Sequence, residues 1–382
     1  MSEPARVEGR LVLDDRVVPG CLWIDDGHIV AVEPNERAAA GPYVAPGFID
    51  VHVHGWGGHD AMADAASLDG MARALLRRGV TSFLPTAVTA SVPTLVAFGR
   101  RVRGWIPGAP VDGAQPLGFN LEGPFLAMAR RGAQDPDHIR DPAGVPEVEV
   151  AALLEGLRVM TIAPERPGAL ELISRLAGLG VAPSLGHSAA TAEEARAGYA
   201  AGAVSTTHLF NAMTGIDHRS PGLAAVALTT DAAFVELIAD GHHVDPALWP
   251  LVFRAKPSDR VILVSDAVAL AGTDLERGRL GGIEVEIRGD RCTLAGEDRL
   301  AGSLIALDSA VRNLARSGIG LPRAVAAASR DPAALLGATD RGRLLPGLRA
   351  DLVELDEGLA VRRVMRGGRW FDGPQPGSAA GG

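Results

Sequence analysis

The chain has 382 residues, enough for one large domain or two, and its 47% hydrophobic and 22% charged content is ordinary for a globular protein. A net charge of −9 argues against a general nucleic-acid surface, while an anionic small ligand stays open wherever a few cationic groups converge. Cys21 and Cys292 lack metal-type spacing and argue for a reducing compartment, Met1–Asp15 lacks the apolar core of a signal peptide, and no run reaches the ~18 apolar residues of a membrane span, so a cytoplasmic protein is expected.

In chain order, Val7 to Val32 reads as short strands, with Asp25-Asp26-Gly27 turning a hairpin between Cys21–Ile24 and His28–Val32. A loop from Pro34 to Pro42 leads into Phe48-Ile-Asp-Val-His-Val-His54, an apolar, β-branched run that predicts a buried strand. His52 and His54 are two residues apart, so on a strand their side chains leave the same face and can grip one cation. Strand and helix signals then alternate. Strands are expected at 81–87, 116–124, 158–164, 181–187, 203–208, 234–240 and 260–266, with helices at 67–78, 91–105, 148–157, 168–179, 191–201 and near 246–253. Ser91 is expected as an N-cap with Pro93 in the first turn, and Thr191-Ala-Glu-Glu194 resembles a capping box. The stretch 125–145 is polar and turn-rich, as an active-site loop would be.

Eight strand-plus-helix units over roughly 220 residues fit a (β/α)8 TIM-like barrel better than a doubly wound sheet, which uses fewer strands. A hairpin is expected over 283–294, turning at Gly289-Asp290, and helices over 303–317 and 322–336. Strands at 351–355 and 361–365 are expected to join the N-terminal strands in a small β domain. The resulting division is residues 1–45 with 341–373 for that domain, 46–340 for the barrel, and 374–382 as a Gly/Ser/Pro/Ala-rich disordered tail.

The chemistry is carried by position. Of ten histidines, His52, His54, His187 and His208 fall at C-terminal ends of expected strands, as do Glu122 and Asp266. That is the rim on which barrel active sites are built, and imidazoles with carboxylates converging there form a divalent-metal site. A divalent ion would activate water and polarise a carbonyl, and Asp266 could take the proton and hand it to a leaving group. The sole lysine, Lys256, lies in a helix-to-strand loop on the opposite rim, so any bridge between two ions should be Glu122 rather than a lysine. Taken singly, each of these six residues could equally be a polar strand end bonded to a loop.

With these motifs in view, the chain resembles the N-acetylglucosamine-6-phosphate deacetylases of the amidohydrolase superfamily. The resemblance spans nearly the whole chain and rests on Pro46-Gly-Phe-Ile-Asp50, His52-Val-His-Gly55, Leu121-Glu-Gly-Pro-Phe125, Gly186-His-Ser188, Thr207-His-Leu-Phe-Asn-Ala-Met213, Ala239-Asp-Gly-His-His-Val-Asp245 and Val264-Ser-Asp-Ala267. It implies removal of acetate from a sugar-phosphate amide, a barrel carrying a small β-sandwich, and a homodimer. It implies Glu122, His187 and His208 as metal ligands, His52 and His54 as holders of a second ion, and Asp266 as general acid/base. Zinc or iron(II) is expected, with manganese as a further option, at one or two ions per subunit. Asn211, Ala212 and His243 match substrate-binding positions, and Arg219 matches an arginine that reaches the phosphate in the neighbouring subunit.

Two positions depart from the pattern. Gln134 stands where a histidine that polarises the amide carbonyl is usual, and Leu307 where a methionine commonly lines the acetyl pocket. Alternatives are a deacetylase of a related amino-sugar phosphate such as N-acetylgalactosamine 6-phosphate, a cyclic-amide hydrolase, which usually carries a strand-borne bridging lysine, or an inactive scaffold, which usually loses ligands.

Overall fold

The structure, a computed structural model, describes residues 4–374; the tail expected to be disordered lies, from 375 on, outside the described residues. Eight strands pair side by side and parallel: Phe48–Val53, Val80–Ala87, Phe119–Glu122, Leu157–Ile162, Ala182–Leu185, Ser205–Thr206, Phe234–Leu237 and Val261–Leu263. Both faces of such strands are covered, which is why they read as apolar runs rather than alternating ones. Ile49, Val51, Leu84, Val159, Ile262 and Val264 share one core cluster inside the barrel. Phe48, Leu121, Met160, Leu237 and Leu263 belong to the larger shell beneath the helices.

The seam between first and last strands has no regular ladder, and short bonds close it. The amide of Asp266 donates to the carbonyl of His52 at 2.9 Å. Buried Asp50 accepts from the amides of His52 and Ser265, both at 3.3 Å. Burial pushes the Asp50 carboxyl up to about 7, against these hydrogen bonds.

Helices follow the strands as the periodicity predicts: Ala65–Arg77, Val92–Trp105, Glu147–Leu154, Ala169–Gly178, Ala192–Ala200 and Trp249–Ala255. Thr191 and Glu194 form both halves of the expected capping box. Helix Ala65–Arg77 starts earlier than expected because Asp64 caps it and accepts from the Ser67 amide at 2.8 Å. Helix Leu223–Thr229 was not foreseen; its seven residues carry no side-chain cap and are almost uniformly apolar. The expected helix over 322–336 is two, Leu321–Ala328 and Arg330–Leu335, broken at Ser329, with Pro332 unable to donate across the break. Beyond the eighth strand, the expected hairpin is present as Ile283–Arg288 and Arg291–Leu294, with an unforeseen third strand, Arg277–Leu280.

The chain ends build a separate seven-stranded sheet, in the order 369–372, 361–366, 352–355, 43–46, 5–12, 17–25, 28–34. The sheet curls on itself, because Ile24 and Ile29 from one end share a core with Leu352 and Met365 from the other. No helix among the described residues is long and apolar enough to cross a membrane.

Candidate metal centre

The six strand-end residues converge. His52, His54 and Asp266 form one buried group whose potential ligand atoms all lie within 4.8 Å of one another, and Glu122, His187 and His208 form a second. Glu122 stands between them. Its Oε1 lies 2.9 Å from Nε2 of both His187 and His208 and 3.7 Å from Nε2 of His52, while its Oε2 lies 3.3 Å from Nε2 of His54. Asp266 Oδ1 faces the same space, 3.1 Å from His54 Nε2 and 3.6 Å from His52 Nε2.

The backbone works to aim these groups. His187, His208 and Asp266 are non-glycine residues at positive φ, 46°, 26° and 49°, a region that costs an L-residue free energy and collects at functional sites. Bonds at the far side of the rings fix their orientation. His54 Nδ1 meets the Thr86 carbonyl at 3.2 Å and His187 Nδ1 meets the Arg130 carbonyl at 2.8 Å. Each ring therefore presents Nε2 inward.

The electrostatics are those of a ligand set. Burial opposes the charge on His54, but hydrogen bonds to Asp266 and Glu122 outweigh it and hold the imidazole up at about 9. His52 is likewise raised against its burial, through Glu122 and Glu236. Burial would raise Glu122, yet the charge and hydrogen bond of His187 drive it well below the usual carboxylate range. Asp266 is lowered against its own burial by His54 and His52. Protons thus compensate anionic oxygens at close range, and a divalent cation would displace them on binding. Nε2 of His52 is buried without a hydrogen-bond partner among the described residues, and the Nε2 atoms of His187 and His208 face each other at 3.1 Å. These donors fit divalent metal, with nitrogen and oxygen ligands and no sulfur.

A cavity of about 470 Å³ opens over the centre, lined by His54, Glu122, His187, His208 and Asp266 and by the expected Gln134, Asn211, Ala212 and His243. Gln134 accepts from the Thr89 amide at 2.7 Å and donates to Glu122. His243 Nδ1 is 2.6 Å from Asp240 Oδ2, and Asn211 donates to the His208 carbonyl at 3.2 Å.

Two expected site residues are not on this wall. Leu307 is fully buried in the main core, because it opens helix Leu307–Leu314 and turns inward; Leu300 and Gly302 line the cavity instead. Arg219 is exposed, its Nε donating to His218 at 3.0 Å, and it does not line the cavity of its own chain. Sequence reasoning missed Arg130, Arg131 and Arg299 at the cavity wall. An Arg-Arg-Gly run inside the long loop of an acidic, lysine-poor chain was the available signal for the first two.

A parallel barrel with histidines and carboxylates gathered on its C-terminal rim is the architecture of a metal-dependent hydrolase. The Amidohydrolase family profile matches residues 43–371. The chain is 41% identical over 363 residues to the N-acetylgalactosamine-6-phosphate deacetylase of Escherichia coli O157:H7, covering 92% of this chain and 93% of that one. It is 39% identical over 369 residues to the N-acetylglucosamine-6-phosphate deacetylase of Bos taurus, with coverage of 89% and 88%. A mutant N-acetyl-D-glucosamine-6-phosphate deacetylase of Mycobacterium smegmatis, solved in complex with N-acetyl-D-glucosamine-6-phosphate, superposes with a TM-score of 0.88 at 35% identity, covering 97% of this chain and 99% of its own. The chain belongs to the amidohydrolase family, in the branch that holds the N-acetylglucosamine-6-phosphate deacetylases.

Proposed function

We propose that this protein hydrolyses the acetamide of N-acetyl-D-glucosamine 6-phosphate to D-glucosamine 6-phosphate and acetate, in amino-sugar catabolism. The observation that carries the reading is Glu122 set between two histidine groups on the floor of a cavity that Asp266 also faces. The Bos taurus and Mycobacterium smegmatis relatives, with that activity in their names, support it.

We assign two divalent ions to the centre, zinc, iron(II) or manganese by donor type. His52 and His54, with Asp266 alongside, would hold one, His187 and His208 the other, and Glu122 would be shared. Ions held there would lower the pKa of a water toward ~7 and would polarise the amide carbonyl. Asp266, kept ionised, is the group able to take the water's proton on its carboxylate and return it to the departing nitrogen, which leaves poorly as an anion. Gln134 steadies Glu122 with one N–H and has a second for the acetyl oxygen. Asn211, Ala212 and His243 would hold the sugar phosphate, and Arg219 would reach it from the partner in a homodimer. Both cysteines are buried and unpaired, in keeping with a reducing, cytoplasmic setting.

Acetate release from the two 6-phosphate epimers and from unphosphorylated N-acetylglucosamine tests the reading, and no release from either phosphate would sink it. The 41% identity to the Escherichia coli protein makes the galacto epimer the alternative substrate. Metal analysis of chelator-free protein should give about two ions per chain, and replacing both His52 and His54 should leave one.

A further inference from the structure

Glu236 lies on the strand Phe234–Leu237 with no exposed surface, beneath the centre rather than in it. Its neighbours Val235 and Leu237 pack into the outer shell. Its Oε2 accepts from His52 Nδ1 at 3.1 Å and from the backbone amide of His208 at 3.3 Å. Taking a carboxylate out of water at that depth is costly unless charge and hydrogen bonds answer it, and Oε1 has no hydrogen-bond partner among the described residues. Among the four imidazoles of the centre, His54 and His187 are steered by backbone carbonyls, and Nδ1 of His208 has no partner among the described residues. His52 alone has an anion behind its ring.

We infer that Glu236 is a positioning residue: it fixes the Nδ1–H form of His52, aims the unpartnered Nε2 at the metal centre, and makes that nitrogen a stronger ligand. The carboxylate–imidazole pair raises ligand basicity and removes the rotational freedom that binding would otherwise have to freeze. Through the His208 amide the same carboxylate also touches the second histidine group, so one buried side chain is tied to both. The inference rests on the two-ion reading above.

The test is chelator competition with cobalt(II), run on the full chain and needing no turnover. Glu236→Met, which keeps the bulk and loses the acceptor, should weaken cobalt binding by ~10–100-fold at the His52 group. Glu236→Gln, which still offers a carbonyl oxygen to Nδ1–H, should recover part of that loss. In a His52→Asn background the Glu236→Met change should cost little more, because its route to the metal is gone. Unchanged affinity in Glu236→Met overturns the inference, and so does an equal loss with and without His52, which would mean that Glu236 serves the fold. Melting temperatures in excess chelator report on folding; if the Met variant does not fold, the Gln variant carries the comparison, with affinity equal to wild type as the overturning result. A wild-type chain that binds one ion would sink the two-ion reading separately, and Glu236 is then judged on that ion.

Discussion

On the floor of the cavity, Asp266 Oδ1 stands 3.1 Å from His54 Nε2, with the carboxyl held below its ordinary range. Proton transfer by a placed carboxylate contributes ~10²–10⁴-fold to a rate. Asp266→Asn should fold, retain most of its metal through the four imidazoles and Glu122, and lose turnover by that factor; near-normal kcat would reduce Asp266 to a structural role. Beside it, the Asp240–His243 pair makes a pH prediction. Burial opposes both charges, but each holds the other: Asp240 is lowered and His243 raised. His243's contribution to stability is therefore complete below its ordinary value of 6.5 and is lost as pH rises through its raised folded value. Asp240's is present above 3.8 and is lost as pH falls through its depressed one. Asp240→Asn should lower the His243 pKa, read by NMR of the imidazole protons. If His243 grips the phosphate, KM should then rise between about pH 6 and 8 with kcat little changed; an unmoved His243 titration would contradict this. The convergence of the six strand-end residues was legible because spacing and strand-end position mark them. Glu236 was passed over as one acid in Phe-Val-Glu-Leu-Ile, although an acid inside a doubly covered strand is itself a signal.

Among the elements, strands were easier to read than their ends. The run 203–208 yields a ladder of only Ser205–Thr206, because Thr207 and His208 leave the strand to bring His208 to the centre. Nothing in the residue names announces a positive φ at His187, His208 or Asp266; tertiary contacts impose it. The segment 300–307 shows how little residue names say of direction: Leu300 and Gly302 line the cavity, while Leu307 is buried in the core. Only the helix start, set by the path of the preceding chain, decides which of these residues faces the cavity. Gly302 is fixed there by geometry: its φ is +69°, and a Cβ would sit 2.8 Å from the Asp266 carbonyl oxygen. Gly302→Ala should therefore cost on the order of 1–3 kcal/mol in strain and displace the Asp266 backbone. Thermal melting with kcat checks this, and a variant as stable and active as wild type would show that the backbone yields freely.

At the scale of the whole molecule, the barrel was legible because eight repeats of one pattern reinforce one another, and the split sheet because both chain ends carry unclaimed strands. Assembly is not written in periodicity, and it bears on how a chain of net charge −9 holds a phosphate. The sole lysine is spent elsewhere: Lys256 Nζ bonds the Ala227 carbonyl at 3.0 Å, and burial pushes the amine down to about 8. Arg219 is exposed and outside its own cavity, on the loop between His208 and helix Leu223–Thr229. If it completes the partner's site, Arg219→Ala should raise KM for the 6-phosphate sharply, since arginine can grip phosphate with two charge-assisted bonds. Activity on unphosphorylated N-acetylglucosamine should barely change. Exchange of Arg219→Ala subunits with Asp266→Asn subunits separates the two arrangements. In a mixed dimer the Asp266→Asn chain lends its arginine to the one site that keeps its aspartate, so part of the lost activity should return. Fully exchanged mixtures without recovery would place the arginine's action within its own subunit, or remove it from the phosphate site, leaving Arg130, Arg131 and Arg299 as the arginines on the cavity wall, beside His243.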